Sequence, residues 1–327
     1  MKKKQWIICA IVLSVIVLGV VGYFLIDLFT PKLGLCLAGA DSQYDGVVKS
    51  ALEKAGYTVL TDSGQSQEQQ IGALVHRGAD LLIVEAADLT DVSGILEQAG
   101  EVPVLFIGHA PENLSGSYFA GYDPTQLGAM QAELLGSFFA KADVNGDKLV
   151  DYMLLSGSDK DGYFQGANEA AGAYKTIKLE EVVCDGTVSG AKELCKQAFS
   201  KYGRDLELIF CSSGELAQGA VAAIRESGRT PGRDVIVFGA GTAEQCQEYV
   251  RTGAITAAVV EDEAAFCEEI IQVARDLLKG KETEQKNYVN YKLLTHENLN
   301  KLSWRHLSKR RMPLFKVMVY SAHTFVV

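Results

Sequence analysis

The 327-residue chain lacks the short motifs that mark most familiar catalytic sites. No GxGxxG enters its first helix, and GxxxxGK[ST], GxSxG and HExxH are all missing. Their absence removes the usual nucleotide cradles, the exposed serine nucleophile and the helical zinc pair. The five histidines stand singly, and His76, near the end of an amphipathic stretch, reads as a surface residue. Seven cysteines show no CxxC and no other metal spacing. Cys36 and Cys211 fall inside apolar runs, where a small buried thiol is the ordinary occupant. Cys184 and Cys195 are spaced to pair across a strand–helix unit, but no particular disulfide is expected. Acid is missing from both ends: all 41 Asp and Glu lie between Gln5 and Lys301, where 23 Lys and Arg oppose them, a net charge of −18. A body that acidic repels phosphate backbones, and no basic stripe interrupts it, so nucleic acid is excluded as a partner. These absences favour a binding protein over an enzyme.

What is present begins with a membrane signal. Lys2, Lys3 and Lys4 precede an uncharged run from Trp6 to Ile26. At 1.5 Å per residue, that run is just long enough to cross a ~30 Å hydrocarbon layer. The leading lysines place the N-terminus in the cytoplasm and everything after Asp27 outside. The rival is a cleaved signal peptide, but Val20 to Phe29 offers no small-x-small cleavage site. Cys9 lies within the run and Cys36 within the first expected strand, so no cysteine is placed for lipid attachment. Residues 1–31 are therefore expected to be an uncleaved, single-pass anchor, with the domain extracytoplasmic.

From Lys32 onward, short apolar runs alternate with amphipathic stretches. The runs are Leu33–Leu37, Tyr57–Leu60, Leu81–Val84, Val102–Ile107 and Tyr118–Ala120, then Val150–Leu155, Leu179–Val183, Leu206–Cys211, Val235–Phe238 and Ile255–Val260. Helical spacing falls on stretches such as Asp45–Ala55, Gln67–His76, Pro124–Ala140, Glu215–Glu226 and Glu263–Leu278. Such alternation means parallel strands wrapped by helices, an α/β fold. Ten strands strain a single sheet, so two doubly wound sheets in two lobes are expected. Ligands of such sheets bind beyond the carboxyl ends of the strands.

The sharpest motif is Asp143-Val144-Asn145-Gly146-Asp147-Lys148-Leu149-Val150-Asp151. Oxygen-bearing side chains at alternate positions converge when such a loop curls, which suits a hard cation that needs six to eight oxygens. Asp143, Asn145, Asp147 and Asp151 would offer side chains and Leu149 its carbonyl. The alternative is a polar turn rich in Asp, Asn and Gly for turn chemistry alone.

Taken together, Leu33-Gly34-Leu35-Cys36-Leu37, Val102-Pro103-Val104-Leu105-Phe106, Gly121-Tyr122-Asp123, Gln218-Gly219-Ala220-Val221, Val237-Phe238-Gly239 and Gly253-Ala254-Ile255-Thr256 resemble the type I periplasmic binding proteins, within them the galactose/glucose-binding branch, over roughly residues 32–300. The resemblance implies lobes of residues 33–122 plus 262–288 and 123–261 plus 289–302, joined by three crossings and enclosing a ligand cleft. It also implies a structural Ca2+ in the second lobe, with Glu207 as the distant ligand that completes the 143–151 set. Lys148 departs from the pattern: such loops turn there on glycine, so a left-handed conformation is forced on a residue with a Cβ. At the ligand site the resemblance places Tyr44 on the first aromatic position, while the second reads Thr187. The acidic and amide positions read Ser42, Tyr163, Ser213, Gly241 and Glu261. An Asn-Lys pair has become Gly108-His109, and an Arg has become Ala167, with Gln165 nearby.

The expected ligand residues are thus Tyr44, for stacking on a sugar face, with Ser42, His109, Asp161, Tyr163, Ser213 and Glu261 as hydrogen-bonding groups. The expected function is a membrane-tethered solute receptor, for a carbohydrate, that serves an ABC permease. The alternative is a sensor subunit that presents bound ligand to a membrane histidine kinase. A relative that no longer binds, given the altered cleft, is a further reading. A cytoplasmic repressor core shares this fold but needs a helix-turn-helix where this chain has an apolar run. Residues 303–327, with Arg305, Lys309, Arg310, Arg311 and Lys316 and no acid, form a basic tail of unread role.

Overall fold

A computed structural model describes residues 30–299 apart from residues 40, 41, 65 and 159. The expected anchor at Trp6–Ile26 and the basic tail at 303–327 lie outside the described residues. No helix among the described residues is long and apolar enough to cross a membrane. The described residues divide into two compact units, 30–124 with 261–292 and 125–260 with 293–299.

In the first unit, β1 (Lys32–Cys36), β2 (Thr58–Thr61), β3 (Leu81–Val84), β4 (Val104–Gly108), β5 (Tyr118–Gly121) and β11 (Lys286–Tyr288) form one sheet, ordered β11-β5-β4-β3-β1-β2. All its neighbouring strands pair in parallel. The central strands β3 and β4 are buried at every residue, as strands covered on both faces must be. Successive side chains point to opposite faces, so each strand feeds two cores. Leu33, Leu35, Leu81 and Ile83 pack with α1 (Val47–Lys54) and α10 (Glu263–Leu278) through Val48, Leu52, Phe266 and Ile270. Cys36, Leu82, Val84 and Phe106 pack on the other side with α2 (Gln67–His76) and α3 (Ser93–Ala99) through Ile71, Leu74 and Ile95.

The second unit repeats the plan. Its sheet runs β12-β10-β9-β8-β6-β7, with β6 (Val150–Ser156), β7 (Thr176–Val183), β8 (Leu208–Cys211), β9 (Ile236–Gly241), β10 (Ala257–Val260) and β12 (Lys292–Thr295). The helices are α4 (Pro124–Glu133), α5 (Leu135–Ala142), α6 (Tyr163–Ala171), α7 (Val188–Tyr202), α8 (Gly214–Glu226) and α9 (Ala243–Arg251). Three of them start on side-chain caps: Thr187, Ser213 and Thr242 each accept from a backbone amide of the first turn. A lost cap of this kind costs ~1 kcal/mol. The two parallel-sheet lobes expected from the alternation are present. In both, the first strand sits between the second and the third, so the chain reverses direction across the sheet between β1 and β3, and between β6 and β8. Those are the switch points where such sheets open a crevice at their carboxyl ends. All six cysteines among the described residues are buried and free.

Candidate functional site

At the first unit's switch point, the loops after β1 and β3 are tied together by one side chain. The Gln67 amide donates to the Leu37 and Glu85 carbonyls, and its oxygen accepts from Ala87 N–H. The Glu85 carboxylate accepts from Ala38 N–H at 3.1 Å. Ser42 Oγ accepts from Tyr44 N–H and so shapes the turn that enters α1.

Tyr44 is only 6 % exposed. Its ring lies 4.8 Å from that of Phe266, and its edge passes so close to Gly108, held at φ 84°, that a Cβ there would meet it at 2.9 Å. The ring expected from the sequence to stack on a sugar face is thus packed against Phe266 and runs close to Gly108, with little of it exposed. The stack continues from Phe266 to Tyr122 at 5.7 Å and on to Tyr291 at 4.8 Å.

Glu261 reaches this aromatic corner from the first residue after β10. It is part-buried, and its carboxylate accepts from the Gln43 amide at 3.5 Å. Burial pushes its carboxyl up to about 7, with Gln43 opposing the shift. Burial, and then the charge of Glu261, also push the Tyr44 and Tyr122 phenols well above the tyrosine range. Tyr122 is 5 % exposed, and its hydroxyl has no hydrogen-bond partner among the described residues. His109, just beyond β4, is exposed, and Asp262 is ion-paired to Lys292.

A carboxyl raised in the folded state binds a proton that the unfolded chain releases near 4.5. The stability it confers is fully present below that value and is lost as pH rises through about 7. Glu261→Gln should therefore flatten the fall in melting temperature between pH 5 and pH 8 and raise the value at pH 8. An unchanged pH profile in the variant would place the titration elsewhere.

In the second unit, Asp161 is exposed and accepts from Tyr163 N–H at the start of α6. Tyr163 itself is fully buried, and its hydroxyl donates to Gln131 Oε1 at 2.5 Å. The expectation that Tyr163 contacts ligand is thus corrected: the side chain belongs to the core, and its donor is spent on Gln131. Gln131, also fully buried, donates in turn to the Cys211 and Gly239 carbonyls at the ends of β8 and β9. Ser213 is the α8 cap, accepting from Leu216 N–H at 3.3 Å. Thr187 caps α7, and its hydroxyl donates to Asp185. Ser42 and Tyr44 thus follow β1 and His109 follows β4 in the first unit, Glu261 follows β10 and meets Gln43, and Asp161 and Ser213 follow β6 and β8. Sequence reasoning missed Tyr122 as a site residue, although it lies in the Gly121-Tyr122-Asp123 motif, and missed Gln131 altogether.

The 143–151 loop is a chain of short turns. Asp143 accepts from the amides of Gly146 and Lys148, Asn145 Oδ1 from Asp147, and Asp147 Oδ1 from Leu149. Lys148 adopts φ 70°, the left-handed conformation that its position demands. Glu207, 1 % exposed, closes the loop from β8's leading edge: one carboxylate oxygen accepts from Asn145 N–H at 2.8 Å, the other from Asp151 N–H at 3.1 Å. Burial pushes the carboxyls of Glu207 and Asp151 up. Among the described residues, no group of three or more His, Cys, Asp or Glu converges closely enough to hold a metal by itself.

Residues 40–282 match the model of the periplasmic binding protein domain. The chain is 27 % identical over 224 residues to the galactofuranose-binding protein YtfQ of Escherichia coli strain K12, covering 62 % of this chain and 69 % of that protein. It is 22 % identical over 255 residues to the ribose import binding protein RbsB of Salmonella typhimurium, covering 76 % and 84 %. In structure it is similar to a crystallised galactofuranose-binding protein, with a TM-score of 0.71, 19 % identity and coverage of 85 % and 99 %. It is also similar to an ABC transporter periplasmic solute-binding protein from Actinobacillus succinogenes with bound D-allose, with a TM-score of 0.72, 15 % identity and coverage of 83 % and 100 %.

Proposed function

Because this chain belongs to the periplasmic binding protein domain family, we propose that it is an extracytoplasmic receptor that captures a sugar or sugar-like solute for an ABC-type importer. The family consists of binding proteins, and the relatives matched are solute-binding proteins and not enzymes. The observation that carries the reading is the pair of doubly wound units, each with polar side chains just beyond the carboxyl ends of its strands. The names of the galactofuranose- and ribose-binding relatives supply the ligand class. Tethering through Trp6–Ile26 is the finer part of the proposal, and it suits delivery to a permease held in the same membrane. Presentation of the bound solute to a membrane histidine kinase is the alternative use of such a tether.

The test is a thermal-shift screen of the purified full-length chain against aldoses, ketoses and alditols. A solute that binds only the native state at a hundred times its Kd adds about 2.7 kcal/mol of stability, a shift of several degrees. No shift with any of them, and no small molecule released on denaturation, would point to a relative that no longer binds.

We also propose that the 143–151 loop takes one Ca2+ with a structural role. Asp143, Asn145, Asp147 and Asp151 would supply side-chain oxygens, Leu149 its carbonyl, and Glu207 the second lone pairs of oxygens that already hold the loop amides. The left-handed Lys148 and the successive turns support this fit. When bound, the ion would neutralise carboxylates that otherwise repel each other. The placement in the galactose/glucose branch rests on this loop and Glu207. Chelation should lower the melting temperature by several degrees and calcium should restore it. A melt indifferent to chelator, with no calcium in the purified protein, would leave a turn clasped by Glu207 alone.

A further inference from the structure

Glu261 is a carboxyl group without a counter-charge. Among the described residues it forms no ion pair, and its side-chain contact is the neutral Gln43 amide at 3.5 Å. The described groups that face it come from three packed segments. The β1–α1 segment brings Gln43 and the Tyr44 phenol, and β5's end brings Tyr122. Its own segment brings Asp262, whose charge is already matched by Lys292, and Tyr291 closes the corner next to Tyr122. Glu85 adds further negative charge near Tyr44. No cation in this set is free for Glu261.

A second, independent gap lies beside it. Tyr122 is 95 % covered, yet its hydroxyl is without a partner among the described residues and feels the Glu261 charge more than that of any other group. Buried polar atoms are almost always satisfied, and buried charges are paired. A carboxyl without a counter-charge beside a buried phenol oxygen without a partner makes half of a recognition site, which a guest that displaces part of this packing completes with donors and positive charge.

We propose that the Glu261–Tyr122 corner of the first unit selects a solute bearing a cationic nitrogen, an amino-substituted sugar or polyol, over its neutral counterpart. This rests on the solute-receptor reading and narrows it. The ammonium donates to the Glu261 carboxylate and to Tyr122 Oη, and the remaining hydroxyls meet the polar strand-end groups. Binding fixes Glu261 in its ionised form, so affinity is linked to its titration. With the carboxyl titrating near 7, the ionised fraction, and with it the affinity, rises about tenfold between pH 6 and pH 8.

The experiment measures Kd for the full-length protein by calorimetry at pH 6 and pH 8, with 1-amino-1-deoxyalditols of four to six carbons as probes and the matching neutral alditols and monosaccharides beside them. These amines stay protonated throughout. At least one amine should bind ten or more times tighter than its neutral match at pH 8, and about tenfold weaker at pH 6. Glu261→Gln should lower amine affinity tenfold or more and abolish its pH dependence. Its unliganded melting temperature at pH 8, no lower than that of the parent, shows that the variant is folded. Neutral sugars that bind as tightly as amines, with no pH dependence, would overturn the inference and leave the receptor reading standing. Absence of binding by every probe, charged or neutral, would overturn both.

Discussion

Leucine in place of Gln131 should destabilise the second unit by about 3 kcal/mol, because it strands three buried polar groups while conserving volume. The Gln131 side chain is fully buried and fully used: its amide serves the Cys211 and Gly239 carbonyls, and its oxygen accepts the Tyr163 hydroxyl. Each orphaned group costs about 1–3 kcal/mol, and the sum is less than additive because water and small shifts recover part of it. Tyr163→Phe removes one bond and leaves one acceptor open, so it should cost about 1–2 kcal/mol. Adding Tyr163→Phe to Gln131→Leu should cost little more, because the hydroxyl is already without its partner. Denaturant melts of the four proteins measure both numbers. A Gln131→Leu variant within 0.5 kcal/mol of the parent would mean that the network does not order the ends of β8 and β9, and so does not position the loop that carries Ser213.

That network also shows where sequence reading stops. Strands such as Leu81–Val84 and Leu208–Cys211 are legible because parallel strands buried on both faces are apolar at every position. The edge strand Thr176–Val183 half escapes notice: Thr176, Ile177 and Lys178, the last two exposed, do not read as an apolar run, and only Leu179–Val183 reads as a strand. The stretch from Pro124 to Ala140 reads as one helix. The structure divides it at Leu134, where the backbone amide bonds to Gln131 three residues back, and no proline marks the change. Lys148 was legible because the loop's alternation fixes which residue must turn left-handed. Tyr163 was not. A tyrosine after a strand end serves a ligand or a core equally well, and what decides is Gln131, 32 residues away in sequence. Tyr122 and Phe266 come together over a longer separation still, so the aromatic corner around Glu261 is a product of topology that no local pattern announces.

Alanine at Gly166 should cost about 3 kcal/mol, and alanine at Gly128 nearly as much. The α4 and α6 helices meet backbone to backbone through these two glycines. A Cβ on Gly166 would lie 2.0 Å from the Thr125 carbonyl oxygen, and one on Gly128 would lie 2.2 Å from that of Tyr163 and 2.7 Å from Ala167 N. Neither neighbour is a flexible side-chain end that can swing aside, so the helices must separate by about 1 Å or more. Overpacking of this kind costs about 1–3 kcal/mol. Here the separation also pulls Tyr163 away from Gln131, which adds about 1 kcal/mol for the weakened bond. Gly157 is the control. A Cβ there meets nothing within 4 Å, and its φ is not in the left-handed region, so Gly157→Ala should be neutral or slightly stabilising through the unfolded chain. If Gly166→Ala melts with Gly157→Ala, the helices are not in contact there. If it is destabilised, and Tyr163→Phe costs less in its background than in the parent, then the glycine contact and the Tyr163–Gln131 bond are one coupled device. That device sets where α6 begins, and with it where Asp161 stands at the strand ends.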